Sequence, residues 1–163
     1  MTSSIVCGVD GSRHARLALR QAARLAKALD ARLVVATVVQ PFPASGIGPT
    51  ARELAAVPID ALLRAGDAII EKLLHDEGLG DVERKVMLGF PADRLADLAD
   101  EEAARLIVVG SRGRGRVKAA LLGSVSSDLI GIARCPVLVV PPVAESTGIQ
   151  RAPADAASFA RAS

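Results

Sequence analysis

The chain has no tryptophan, no tyrosine and only three phenylalanines in 163 residues. Its core cannot be built on aromatic anchors, and no ring platform is at hand for stacking nucleic-acid bases. Two cysteines, Cys7 and Cys135, are too few for a disulfide framework and point to a reduced protein. No His/Cys cluster has metal-ligand spacing. No apolar run approaches the ~20 residues of a membrane span. The start, MTSSIVCGVD, lacks the basic region and apolar stretch of a secretory leader. A net charge of +2 is too small to argue for a nucleic-acid partner. These absences lead us to expect a cytoplasmic protein that neither enters membranes nor binds nucleic acid.

What remains is apolar and aliphatic. Half of the residues are hydrophobic, so valine, leucine, isoleucine and alanine must make the core. That is the composition of helices packed on a parallel sheet. The length fits one domain, expected at 1–143, with 144–163 a disordered tail that has little to bury.

In chain order, Ile5 to Val9 reads as a strand ending at Asp10. Gly11 and Ser12 make a turn, with Ser12 as the N-cap of a helix reaching Leu29. Ala18, Ala22, Leu25 and Leu29 share one face of that helix, and Arg13, Arg16, Arg20, Arg24 and Lys27 form a solvated basic stripe. Ala31 to Val39 is a second, β-branched strand. Gln40 to Thr50 holds three prolines and two glycines, and is expected to be a mobile loop, equally a lid or a connector. A helix from Thr50 to Glu77, bent or restarted at Pro58, would bury Leu62, Leu63, Ile69, Ile70, Leu73 and Leu74. Asp81 to Leu88 reads as an edge strand, and Pro91 opens a helix to Ala104. On that helix Leu95, Leu98 and Ala99 face inward, and Asp93, Asp97, Asp100, Glu101 and Glu102 face water. Leu106 to Val109 is a fourth strand, and the helix after Ser124 would present Val125, Leu129, Ile130 and Ile132 to the sheet. Val137 to Val140 is the last strand, closed by Pro141 and Pro142. Such β-α alternation predicts a parallel sheet with helices on both faces.

The chemistry gathers between Val109 and Ser126. A buried strand feeds a glycine-rich basic loop, Gly110-Ser-Arg-Gly-Arg-Gly-Arg116, and then Gly123-Ser124 at a helix start. Glycines let backbone amides approach an anion, and a helix start adds unpaired N–H groups and the positive end of a dipole. The better-known phosphate loops are excluded. The chain has no GxxxxGK followed by Ser or Thr, and Gly113-Arg-Gly115 is followed at 118 by Lys rather than a third glycine. GxSxG is missing too, which argues against a nucleophile elbow.

The spacing Gly110-x2-Gly113-x9-Gly123-Ser124, with Asp10 at the end of the first strand and the run CPVLVVPP, resembles the universal stress protein family. The resemblance spans roughly Ser4 to Pro142, and in that family the glycine spacing marks the ATP-binding branch. It implies an open, doubly wound, five-stranded parallel sheet in the order 3-2-1-4-5, the adenine nucleotide alpha hydrolase-like arrangement. Topology agrees with that position, because ligands of open α/β sheets sit where the strand order reverses, beyond the carboxyl ends of strands 1 and 4. By analogy Gly8, Val9 and Asp10 would border adenine and ribose, and the backbone of Val38 would meet the adenine edge. Val109, Gly110, Arg112 and Gly113 would line ribose and phosphates. Gly123, Ser124, Val125 and Ser126 would hold the phosphates through amides and hydroxyls. One departure is Arg105, where members usually carry Asp before the fourth strand. The loop is also unusually basic, with Arg112, Arg114, Arg116 and Lys118.

The resemblance therefore implies a stress-response module that binds ATP, with any Mg2+ held by the phosphates. It also implies a homodimer formed through Val137 to Val140, whose flat apolar edge needs a cover. The alternatives are a slow ATPase, or a dimeric adaptor that binds AMP, cyclic AMP or no nucleotide. No residue is an obvious general base, and His14 is only near in sequence. Cys7 and Cys135 would be separated by strand 4, and strands two apart are ~9.5 Å from each other, beyond the reach of a disulfide.

Overall fold

Nine elements alternate along residues 3–40, 58–113 and 122–142, the part of the chain that the structure, a computed structural model, describes. They are β1 (Ser4–Gly8), α1 (Arg13–Ala28), β2 (Arg32–Val39), α2 (Ile59–Asp76), β3 (Glu83–Leu88), α3 (Pro91–Glu101), β4 (Ala104–Gly110), α4 (Ser124–Ile132) and β5 (Val137–Val140). The strands form one parallel sheet in the order β3-β2-β1-β4-β5. The expected loop at 40–50, the helix start at Thr50, the cations Arg114, Arg116 and Lys118, and the tail from Ala144 lie outside the described residues, apart from Gln40.

Successive side chains of a strand point to opposite faces, and the apolar runs here are continuous because both faces are covered. Ile5, Cys7, Val35 and Val108 pack with α1 and α2. Val6, Val34, Ala36, Ile107 and Val109 pack with α3 and α4. Cys7 is wholly enclosed, and burial pushes its thiol up to about 12, so it stays neutral. Both cysteines are free, and β4 separates Cys7 from the approach to β5.

Local signals hold at the helix starts. The Ser12 hydroxyl accepts a hydrogen bond from the Ala15 amide at 3.1 Å, capping α1. Pro91 occupies the first turn of α3. Two members of the basic stripe on α1 meet acids at the end of α2: Arg16 bonds Asp76 at 2.8 Å, and Arg20 bonds Glu77. The two helices are thereby tied side by side on one face of the sheet.

Several expectations about buried faces need correction. On α1, Leu29 is 44% exposed because it is the C-cap, and Leu19 takes the buried place. On α2, Ile70, Leu73 and Leu74 are buried, while Leu62, Leu63 and Ile69 are only half-buried. On α4, Ser126 and Leu129 face the sheet, whereas Ile130 is 57% and Ile132 46% exposed. One residue is about 100° around a helix, so a short helix that buries Leu129 turns its successor outward. Glu102 does not face water as expected. The helix ends at Glu101, two residues sooner than Ala103, the residue of positive φ that precedes β4. The Glu102 carboxylate accepts from Arg32 at 2.7 Å, which lowers its pKa.

Candidate functional site

The carboxyl ends of β1 and β4 lie side by side, with Gly8 paired to Val109. The chain leaves β1 toward one face and β4 toward the other, which opens a crevice between them. A cavity of about 450 Å³ fills that crevice. This is within the usual range for small-ligand sites.

All twelve residues singled out from the sequence line this cavity: Gly8, Val9, Asp10, Val38, Val109, Gly110, Arg112, Gly113, Gly123, Ser124, Val125 and Ser126. Ala15, Ala36, Gln40, Pro91, Leu95 and Leu122 line it as well. All of these additional residues but Gln40 are apolar, and of them the sequence singles out only Leu95 as inward-facing and Pro91 as a helix start. Gln40 had a usable signal, since it lies two residues past Val38 and an extended chain returns to the same face every second residue. His14 is not among the lining residues.

The walls meet closely, and the glycines serve different purposes. A Cβ on Gly110 would stand 2.8 Å from the backbone carbon of His14, so β4 ends hard against the first turn of α1. A Cβ on Gly113 would stand 2.6 Å from Asp10 Oδ2. The other oxygen of that carboxylate, Oδ1, accepts from the Ser12 amide at 2.9 Å. Asp10 thus fixes the turn into α1 while facing the glycine loop. A Cβ on Gly8 would meet Leu95 Cδ1 at 2.7 Å, which sets the spacing between β1 and α3.

A single residue, Ser111, ties β5 to the start of α4. The Ser111 amide donates to the Val140 carbonyl at 2.8 Å, and the Ser111 carbonyl accepts from the Gly123 amide at 2.7 Å. The end of β4 and the residue before α4 are therefore held against each other. Ser126 is 2% exposed, and its hydroxyl donates to the Gly123 carbonyl at 2.9 Å. That proton already has an acceptor. Its backbone amide belongs to the first turn of α4, which no side chain caps. The Nε of Arg112 is buried without a partner among the described residues.

The cavity is thus two-ended. Toward α4 it offers helix-start amides, with Arg112 also on the lining, which suits an anion. Toward β2 and α3 it offers Ala36, Val38, Pro91 and Leu95, which suit a flat apolar group. Among the described residues no three acids, histidines or cysteines cluster as a metal site, and no helix is long and apolar enough to cross a membrane.

Comparison with known proteins places this geometry. The model of the universal stress protein family matches residues 1–141. A universal stress protein of Mycobacterium tuberculosis is 35% identical over 144 residues, covering 84% of this chain and 94% of its own. A second, from Thermus aquaticus, is 33% identical over 140 residues, covering 86% and 99%. Among solved structures, a universal stress protein in complex with cAMP is 33% identical, with a TM-score of 0.54 over 85% of this chain and 95% of that one. The Lactobacillus plantarum protein UspA superimposes with a TM-score of 0.68 over 85% and 97%, at 23% identity, a likeness of fold.

Proposed function

The chain belongs to the universal stress protein family, and from that premise we propose that it is a cytoplasmic, ATP-binding stress-response module. The observation that carries the reading is the convergence of all twelve motif-derived residues on one cavity at the β1/β4 crossing. Adenine lies on the apolar end, against Val38 and Leu95. Ribose sits beside Asp10, whose carboxylate accepts from a sugar hydroxyl or the adenine amine. The phosphates lie against Arg112, the Gly113 amide and the uncapped amides of Ser124, Val125 and Ser126. Mg2+, when present, rides on the phosphates. A structural relative holds cAMP, which supports an adenine nucleotide in this crevice and keeps a cyclic-nucleotide adaptor as the second reading.

Calorimetric titration of nucleotide-free protein tests the proposal. One saturable site per chain is expected for ATP, with AMP and cyclic AMP weaker. Tightest binding of cyclic AMP would favour the adaptor, and no heat with any adenine nucleotide would overturn both. Single-turnover hydrolysis, with Gly113→Ala and Ser124→Ala as controls, decides whether slow ATPase activity accompanies binding.

We also propose a homodimer through β5. The carbonyls of Pro136 and Val140 bond inward to β4, at Ile107 and Ser111. By alternation the amides and carbonyls of Val137 and Val139 point outward, an unprotected edge. An antiparallel copy satisfies them best when Val137 faces the second copy's Val139, which puts the twofold axis at Leu138. The two Leu138 residues then form a non-hydrogen-bonded pair with Cα atoms about 4.5 Å apart, within disulfide reach. A Leu138→Cys, Cys135→Ala variant should therefore cross-link to a dimer under mild oxidation. A monomer by light scattering, with no cross-link, would sink the interface.

A further inference from the structure

The apolar end of the cavity is made by Ala36, Val38, Pro91 and Leu95, and one polar side chain stands beside them. It belongs to Gln40, the residue that follows β2. Among the described residues that line the cavity it is the one carboxamide, a group that donates at one atom and accepts at its neighbour.

The ladder of β2 shows which groups there meet a ligand. The Ala36 carbonyl accepts from the Val9 amide at 2.8 Å, and the Val39 carbonyl accepts from the Gly89 amide at 3.2 Å. Even-numbered residues of this strand therefore turn their peptide groups toward β1, and odd-numbered ones toward β3. The register of β1 on β2 runs only as far as Gly8 and Ala36. The Val38 carbonyl thus points toward the crevice, past the end of the neighbouring strand. Side chains alternate as well. Val38 packs on the α3 side of the sheet, and Gln40 returns to that side two residues, about 6.6 Å, further out. A backbone carbonyl and a carboxamide follow each other along one wall of the apolar end.

A flat base laid on that end meets them in order. With ribose on Asp10, an adenine whose amine gives one hydrogen to the Val38 carbonyl keeps a second amine hydrogen and N7 on its outer edge. That edge is a donor beside an acceptor, and a carboxamide matches it, its oxygen accepting and its NH2 donating. Guanine presents O6 beside N7, two acceptors, and leaves the carboxamide oxygen facing one of them.

We propose that Gln40 reads the amine and N7 edge of the base, which makes it a residue that sets the cavity's preference for adenine. This rests on the nucleotide reading above, and it adds a contact that neither the glycine spacing nor Asp10 supplies. Gln40 is exposed, so its replacement leaves the core untouched.

The test titrates ATP, 7-deaza-ATP and inorganic tripolyphosphate into the full chain as wild type, Gln40→Ala and Gln40→Met. The deaza nucleotide has carbon in place of N7, and methionine keeps the length of the side chain without its carboxamide. The wild type should bind 7-deaza-ATP about 3–10-fold more weakly than ATP, the loss of one hydrogen bond. Both variants should bind ATP about tenfold more weakly than the wild type, fail to distinguish it from 7-deaza-ATP, and keep the wild-type affinity for tripolyphosphate. Equal binding of the two nucleotides by the wild type, or a preference for ATP that survives in either variant, would overturn the inference. So would weakened tripolyphosphate in both variants, since Gln40 would then act on the anion end and not on the base. Failure of the wild type to bind ATP overturns the nucleotide reading, and this inference with it.

Discussion

Replacing Gly110 with alanine should cost the fold more than any other single substitution in the cavity wall. The added Cβ would lie 2.8 Å from both the backbone carbon and the Cβ of His14, and 2.9 Å from its carbonyl oxygen. These atoms belong to the first turn of α1, so no side-chain rotation relieves the contact. Either β4 withdraws from the helix or the turn at Gly11–Ser12 deforms. Overpacking of this kind costs about 1–3 kcal/mol, against a total of about 5–15 kcal/mol for a domain. At 2–4 °C per kcal/mol for this chain length, melting should fall by roughly 2–12 °C. Calorimetry on ligand-free protein reads it directly. A melting point unchanged from wild type would show that the sheet end is not seated on α1 as described.

Gly113→Ala should have the opposite profile, with a large loss of binding and a small loss of stability. Its Cβ would stand 2.6 Å from Asp10 Oδ2, but the obstacle is the end of a side chain that can swing away. Swinging removes the Asp10 bond to the Ser12 amide and moves a carboxylate that faces the cavity. Loss of that hydrogen bond costs the fold about 1 kcal/mol. Ligand loses the same carboxylate contact and the open approach to the Gly113 amide, which together amount to about 100-fold in affinity for ATP. A double-mutant cycle isolates the cause. In an Asp10→Ala background the clash has no partner, so adding Gly113→Ala should then cost little further stability, and in affinity only the share of the obstructed amide. Full additivity of the two losses would mean that Asp10 does not mediate the effect.

How much of this was legible in the sequence depended on the range of the cause. Element order, the Ser12 cap and the paired proline and glycine signals are local, and they read correctly. Strand order followed from a resemblance that tied Asp10 and the glycine spacing to a known topology. The cavity lining was legible for the same reason, because motif residues flank strand ends that the topology brings together. Burial on α4 was not legible: Leu129, Ile130 and Ile132 are equally apolar, and only the angle at which a nine-residue helix meets the sheet separates them. The reasons for the glycines were hidden too. Gly110 and Gly113 look alike in the loop, yet one is constrained by a helix backbone about a hundred residues earlier and the other by a single carboxylate. Glu102 was read as solvated because its partner, Arg32, is 70 residues away along the chain.

The pairing of β1 with β4 joins Ser4 to Ala104 and Cys7 to Val108. During synthesis at about 5–20 residues per second, the first strand waits on the order of 5–20 s before its neighbour exists. Once β2 has paired with it, this strand, apolar but for Ser4, still has a bare edge where β4 will later dock. A nascent chain halted after Leu88 has every element of its first half and still lacks the strand that closes the middle of the sheet. Such truncated products should be clients of chaperones that shield sticky edges, and the finished chain should not be.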